Sequence, residues 1–115
     1  MPRDEATLLD ILVAARAALE FKGSADKDAL WRNRQLQASI LYELVVVGEG
    51  VRRLSKEFRE THGEIPWREI AGMRDHLVHA YDAVDLDEVW ITLERDVPAL
   101  IEWLEAHATE PRDSG

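Results

Sequence analysis

The feature that most restricts the fold of this chain is a run of apolar residues at steps of three and four: Leu36, Ile40, Leu44, Val47, Val51, Leu54 and Phe58. With 3.6 residues per turn, such spacing lines one side of an α-helix and nothing else. It predicts a helix from about Arg34 to Thr61, with Asn33 as its N-cap and Gly63 at its end. Tyr42, Val45, Val46 and Glu49 fall away from that stripe, so the helix has a second, partly apolar face. That face is expected either to form a dimer seam or to pack on a short helix at Asp26 to Trp31.

The same period recurs on both sides. Leu8, Ile11, Leu12, Ala15, Ala18 and Leu19 predict a first helix from about Asp4 to Phe21, with Gly23 as its C-terminal cap. Pro66 suits the first turn of a further helix through Ile70, Met73, Leu77 and Val78, with Gly72 as a bend. Asp85, with Glu88 three residues on, is the N-cap expected for a last helix that carries Leu86, Val89, Leu93, Val97, Leu100 and Leu104. Pro98 should kink that helix near Glu94. No segment alternates like a strand between turns. The expected fold is all-α, an antiparallel bundle of four main helices plus a short one, in a single domain over residues 1–108 with a flexible tail at 109–115.

Composition removes several function classes. The 115 residues hold no cysteine, which excludes thiolate nucleophiles and sulfur-ligated zinc, and the size fits one domain whose small core would gain from self-association. An acidic start, Asp4-Glu5, is unlike a secretory signal, and no window approaches the roughly 18 apolar residues of a membrane span. A cytoplasmic protein with no membrane partner is expected. The net charge of −9 argues against broad phosphate-backbone binding. Arg52, Arg53, Lys56 and Arg59 form a local basic stretch, expected first as a solvated helix face and second as a guide for RNA.

Reactive side chains crowd into the segment after Pro66: Arg68, Glu69, Arg74, Asp75, His76, His79, Tyr81 and Asp82. A metal site could use Asp75, His76 and His79, but no separate cluster of ligands is evident elsewhere. Ser24, Ser39, Ser55 and Thr61 lack a nucleophile elbow, and Gly48-Glu49-Gly50 lacks the strand and lysine of a phosphate-binding loop. Acid-base cleavage of a phosphodiester needs a proton-transfer group and a fixed cation, which His79 and Arg74 supply. On a regular helix these two lie about 140° apart, so a shared site needs a bend or a second subunit. Asp75, four residues before His79, could orient the imidazole, and Arg74 and Tyr81 would share a face.

The stretch Glu64-Ile65-Pro66-Trp67-Arg68-Glu69-Ile70-Ala71-Gly72-Met73-Arg74-Asp75-His76-Leu77-Val78-His79-Ala80-Tyr81, followed by Val84-Asp85-Leu86-Asp87-Glu88-Val89-Trp90, resembles the HepT-like toxins of the HEPN superfamily. Arg3 to Ile11 and Val47-Gly48-Glu49-Gly50-Val51 extend the resemblance over nearly the whole chain. Its motif of Arg, four residues, His, one residue and Tyr falls on Arg74, His79 and Tyr81. The resemblance implies a homodimer whose paired motifs line a cleft and a metal-independent endoribonuclease that needs no cofactor. It further implies a minimal nucleotidyltransferase antitoxin that transfers AMP to Tyr81. Arg74 and His79 would be catalytic, with Asp75 and a cleft-facing Glu49 in support. Gly50 stands where the family usually has alanine, at a cost in helix stability. A non-catalytic helical subunit that binds and positions the nucleotidyltransferase is the rival expectation.

Overall fold

The structure, a computed structural model, describes residues 2–79 and 83–108. Helix α1 (Pro2–Lys22) ends at Gly23, whose φ of +52° is a left-handed conformation open to glycine and strained for other residues. Helix α2 (Lys27–Arg32) and helix α3 (Arg34–Arg53) meet at Asn33. Asp26 and Asn33 cap them, each side chain accepting a backbone N–H at 2.9 Å. Helices α1 and α3 run antiparallel, since Asp4 meets Ser55, Asp10 meets Arg53 and Ile11 meets Gly50. The apolar stripe of α3 is the core: Ile40, Leu44, Val47, Val51 and Leu54 are buried against Leu8, Ile11, Leu12, Ala15 and Ala18 of α1.

The expected helix to Thr61 is broken. Leu54 and Ser55 are extended, and a separate helix α4 (Lys56–Thr61) follows. The cause is a local competitor to the helix. Ser55 Oγ accepts from the Phe58 amide at 3.0 Å and donates to Asp4 at 2.7 Å, while the Ser55 amide donates to Asp4 at 2.9 Å. Burial pushes the Asp4 pKa up, but these two hydrogen bonds together with nearby positive charge, Arg3 included, outweigh it and hold the carboxyl below its ordinary 3.8. Leu54 and Phe58 still pack on the core, so the apolar spacing runs through the break without marking it.

The segment expected as one motif helix is three short elements. Helix α5 (Trp67–Ala71) bends at Gly72 as expected, and helix α6 (Met73–Leu77) follows. Val78 then turns extended, and strand β1 (Val78–His79) pairs antiparallel with strand β2 (Ala83–Val84), Val78 opposite Val84 and His79 opposite Ala83. The Asp85 amide closes the ladder on the Leu77 carbonyl at 2.8 Å. A pairing of two residues a side is shorter than any alternation that a sequence pattern reveals, and it leaves the fold all-α in class.

Asp85 caps helix α7 (Leu86–Ile91) through the Glu88 amide, as its spacing predicts. Where Pro98 leads one to expect a kink near Glu94, residues Thr92–Asp96 form a π-turn, with the Val97 amide reaching the Thr92 carbonyl, before helix α8 (Val97–His107). The wider turn accommodates both the donor that Pro98 lacks and its crowding of the carbonyl near Glu94. Ion pairs Arg16–Glu105 at 2.8 Å and Lys22–Glu94 at 3.4 Å place this last arm antiparallel to α1. The expected tail at 109–115 lies outside the described residues.

On the second face of α3, Val45 and Val46 are half-buried while Tyr42 and Glu49 are exposed. Gln37 hydrogen-bonds the Leu30 and Trp31 carbonyls, but Tyr42 stays 66% exposed beside the equally exposed Val13 of α1. Among the described residues, no helix is long and apolar enough to cross a membrane.

Candidate active site

Two close contacts hold the α5–α6 arm on α3. A Cβ on Gly48 would stand 3.1 Å from the Ile70 carbonyl oxygen and 3.4 Å from that of Ala71, so the absence of a side chain lets α5 approach the α3 backbone. Arg52 then donates from Nε and Nη2 to the Ala71 oxygen at 3.1 and 2.8 Å. This fork fixes the last turn of α5, immediately before the Gly72 bend. Met73 and Leu77 are buried, which turns Arg74, Asp75 and His76 outward on the opposite side of α6.

Arg74 and Asp75 side chains are 58% and 75% exposed, with Nη1 of the arginine 3.6 Å from the aspartate Oδ1. Arg74 is therefore a cation available to an anionic ligand, already oriented by a neighbouring carboxylate. His79 stands in β1, so the helical register ends two residues short of it. The expectation that Asp75 and His79 stack one helical turn apart does not hold, because the helix stops at Leu77; the expected shared face of Arg74 and Tyr81 involves a residue outside the described ones. The backbone between Arg74 and His79 does change direction, from helix to strand after Leu77. The His79 side chain and all of Tyr81 and Asp82 lie outside the described residues. Glu49 is exposed on α3, a helix in direct contact with α6.

Beside the strand pair runs an open groove of about 500 Å³, lined by Arg34, Gln37, Leu41, Val78, Val84 and Leu86. It combines one cation and one amide with an apolar floor. The basic stretch expected as a solvated face divides by role. Arg52 clamps Ala71, Arg53 lies 3.7 Å from Asp10, and Lys56 lies 3.9 Å from Glu60. The Arg59 Nε is buried without a hydrogen-bond partner among the described residues.

A ligand cluster away from the motif, which no spacing in the sequence announces, is present after all. Among the described residues, His62, Glu64 and His107 place one potential ligand atom each within 4.8 Å of one another. His62 and Glu64 are two apart and read as an ordinary turn, while His107 comes from the far end of the chain. Spacing carries no signal for such a group. Glu64 accepts from its own backbone amide and from the Trp103 indole, and these bonds hold its pKa below the ordinary 4.5.

An all-α bundle that presents an exposed Arg74 on a short helix, followed at once by His79 on a strand, defines a candidate phosphodiester-cleaving domain. The sequence profile of the family described as "Ribonuclease HepT-like" matches residues 11–107, and the chain belongs to that family. It is 36% identical over 93 residues to a "Probable ribonuclease HepT" of Thermococcus cleftensis, covering 81% of this chain and 84% of that protein. A "Putative RNase" of Methanocaldococcus jannaschii is 34% identical over 102 residues, covering 87% and 88%. A "Putative RNase" of Caldanaerobacter subterraneus is 45% identical over a shorter match of 65 residues, 56% of this chain and 58% of that protein. No solved structure gives a significant match.

Proposed function

We propose that this chain is the ribonuclease toxin of a toxin–antitoxin pair. In this reading it cuts RNA without a metal, through Arg74 and His79 in a homodimer, and is silenced by AMP transfer to Tyr81 from a cognate nucleotidyltransferase. The observation that carries the reading is the family match across the whole motif region, with Arg74, His79 and Tyr81 all present.

The chemistry follows from those side chains. RNA supplies its own nucleophile, so the 2′-hydroxyl attacks the adjacent phosphorus and the bond to the 5′-oxygen breaks. One imidazole state accepts the 2′-proton and the other returns a proton to the leaving oxygen. Arg74, always charged, binds the phosphoryl oxygens as negative charge builds on them. Asp75, adjacent to the guanidinium, orients it, and Glu49 serves as a supporting carboxylate from α3. The dimer reading is supported by the apolar strip left open across α1 and α3 at Leu9, Val13 and Tyr42. An AMP group on Tyr81 would bring a phosphodiester and a base to the motif and compete with substrate for Arg74.

Purified wild-type protein should cut a mixed RNA substrate and Arg74→Ala should not. Induced expression of the wild type without its partner should arrest growth, and Arg74→Ala should relieve the arrest. Equal toxicity and equal cleavage by both would remove Arg74 from the reaction.

A further inference from the structure

We propose that His62, Glu64 and His107 form a binding site for a divalent transition metal, zinc in the first instance, at the end of the bundle away from the Arg74 motif. The three ligand atoms lie within 4.8 Å of one another. Around zinc, bonds of about 2.1 Å set ligand-to-ligand distances of roughly 3.4 Å, so closure needs a movement of about 1 Å. Glu64 and His107 are exposed and His62 half-buried, so that movement falls on side chains at the surface and not on the core.

What distinguishes this trio from a chance meeting of surface groups is the support behind each ligand. His107 Nδ1 lies 2.8 Å from the Trp103 carbonyl, a contact that places the ring proton on Nδ1 and leaves Nε2 as a lone-pair donor. The same ring stacks on Trp103 with centroids 3.9 Å apart and planes 12° from parallel. Trp103 also donates from Nε1 to Glu64 Oε2 at 2.9 Å, fixing the carboxylate with its other oxygen unused by that bond. His62 is wedged between rings, 4.5 Å from Phe58 and 5.4 Å from Trp103, with Nδ1 4.0 Å from Glu64 Oε2. Trp67 Nε1 holds the His62 carbonyl at 2.9 Å, which anchors the backbone that carries the ligand. One tryptophan thus orients two ligands and packs on the third.

Two imidazoles and a carboxylate suit zinc and its first-row neighbours, whereas magnesium prefers an all-oxygen shell. Three protein ligands leave a fourth position for water. A bound ion would add a second tie between the turn after α4 and the last turns of α8, beside the Trp103–Glu64 hydrogen bond. The site shares no residue with the proposed ribonuclease reaction, and its test is independent of that reading.

The test is calorimetric titration of the full chain, stripped of metal, with zinc chloride, and with magnesium chloride as the comparison. One zinc per chain should bind and magnesium should not. Cobalt should give visible absorption bands of a nitrogen and oxygen shell. His107→Gln, on the solvent-facing last turn of α8, and His62→Gln should each weaken zinc binding by more than about tenfold. His76→Ala, in the motif, should leave it unchanged. If His62→Gln does not fold, as judged by circular dichroism, His107→Gln carries the test alone. No zinc binding, binding that survives the His107→Gln change, or binding lost in His76→Ala would each overturn the proposal.

Discussion

Replacing Gly50 by alanine should destabilise this protein, although the same change in an ordinary helix interior stabilises by about 1 kcal/mol. The reason is the crossing of α1 over α3. An ideal Cβ at position 50 would lie 2.6 Å from Ile11 Cγ1 and 3.3 Å from its Cδ1, against the 3.5–4.0 Å at which carbon atoms rest. Ile11 is fully buried, and a β-branched side chain in a helix has essentially one χ1 rotamer, so Cγ1 cannot swing away. Either the helices part locally or Ile11 leaves its rotamer, at about 1–3 kcal/mol. Set against the propensity gain, Gly50→Ala should lower stability by about 1 kcal/mol. Ile11→Ala alone should cost about 2–5 kcal/mol. In that background the clash is gone and the propensity gain remains, so Gly50→Ala should then stabilise by about 1 kcal/mol. The sign reversal corresponds to a coupling of about 2 kcal/mol, within the range for residues in contact. Urea unfolding of the four proteins at one fixed concentration measures it, the concentration being held because self-association would shift apparent stability. A higher midpoint for Gly50→Ala in the wild-type background, with no coupling to Ile11, would refute the argument.

Asp4→Ala should cost about 1–3 kcal/mol, because the Ser55 amide and hydroxyl lose their buried acceptor. Because the folded pKa of Asp4 lies below its ordinary 3.8, its contribution is fully present above that value and is lost as pH falls through the lowered one. The stability difference between wild type and Asp4→Ala should accordingly shrink below about pH 4 in acid titrations followed by circular dichroism. Arg52→Ala should loosen α5 by freeing the Ala71 carbonyl, seen as faster amide hydrogen exchange in residues 67–77 with the α1–α3 core unchanged. Tyr81→Phe should escape AMP transfer while keeping cleavage, read by intact mass after co-expression with the nucleotidyltransferase. An adduct retained on that variant would place the modification elsewhere.

How far the sequence disclosed this protein depends on the length scale of each feature. The stripe from Leu36 to Val51, the caps Asn33 and Asp85 and the stop at Gly23 were legible because each is a local rule that acts within one or two turns. The break at Leu54–Ser55 was not, since it depends on Asp4 reaching across from α1 while the apolar period continues unbroken. Ending α6 at Leu77 likewise required Val78 to find Val84, a pairing with no signature at two residues a side. Gly48 and Gly50 looked like an incomplete phosphate loop or a simple loss of helix stability. Their meaning lies in the Ile70 carbonyl and the Ile11 side chain that occupy the space beside them. For the candidate site, residue type and family pattern single out Arg74, Asp75 and His79, while extending the helix past Leu77 misplaces the backbone of His79. His62, Glu64 and His107 come together only through the tertiary fold, and no spacing within the chain could announce them.

The claim that matters most is that Arg74 and His79 cleave RNA by way of the 2′-hydroxyl. It is tested most directly by the ends of the fragments made by purified protein in excess EDTA. The account predicts fragments ending in a 2′,3′-cyclic phosphate and beginning with a 5′-hydroxyl. Their rate should fall by about 10²–10⁴ in His79→Ala, with circular dichroism unchanged. Substrates with a 2′-deoxy group at the cleaved position should stay whole. Cleavage abolished by EDTA, or 5′-phosphate ends, would contradict the account. So would RNA left intact by a well-folded wild type, which would favour a helical subunit that binds and positions its nucleotidyltransferase.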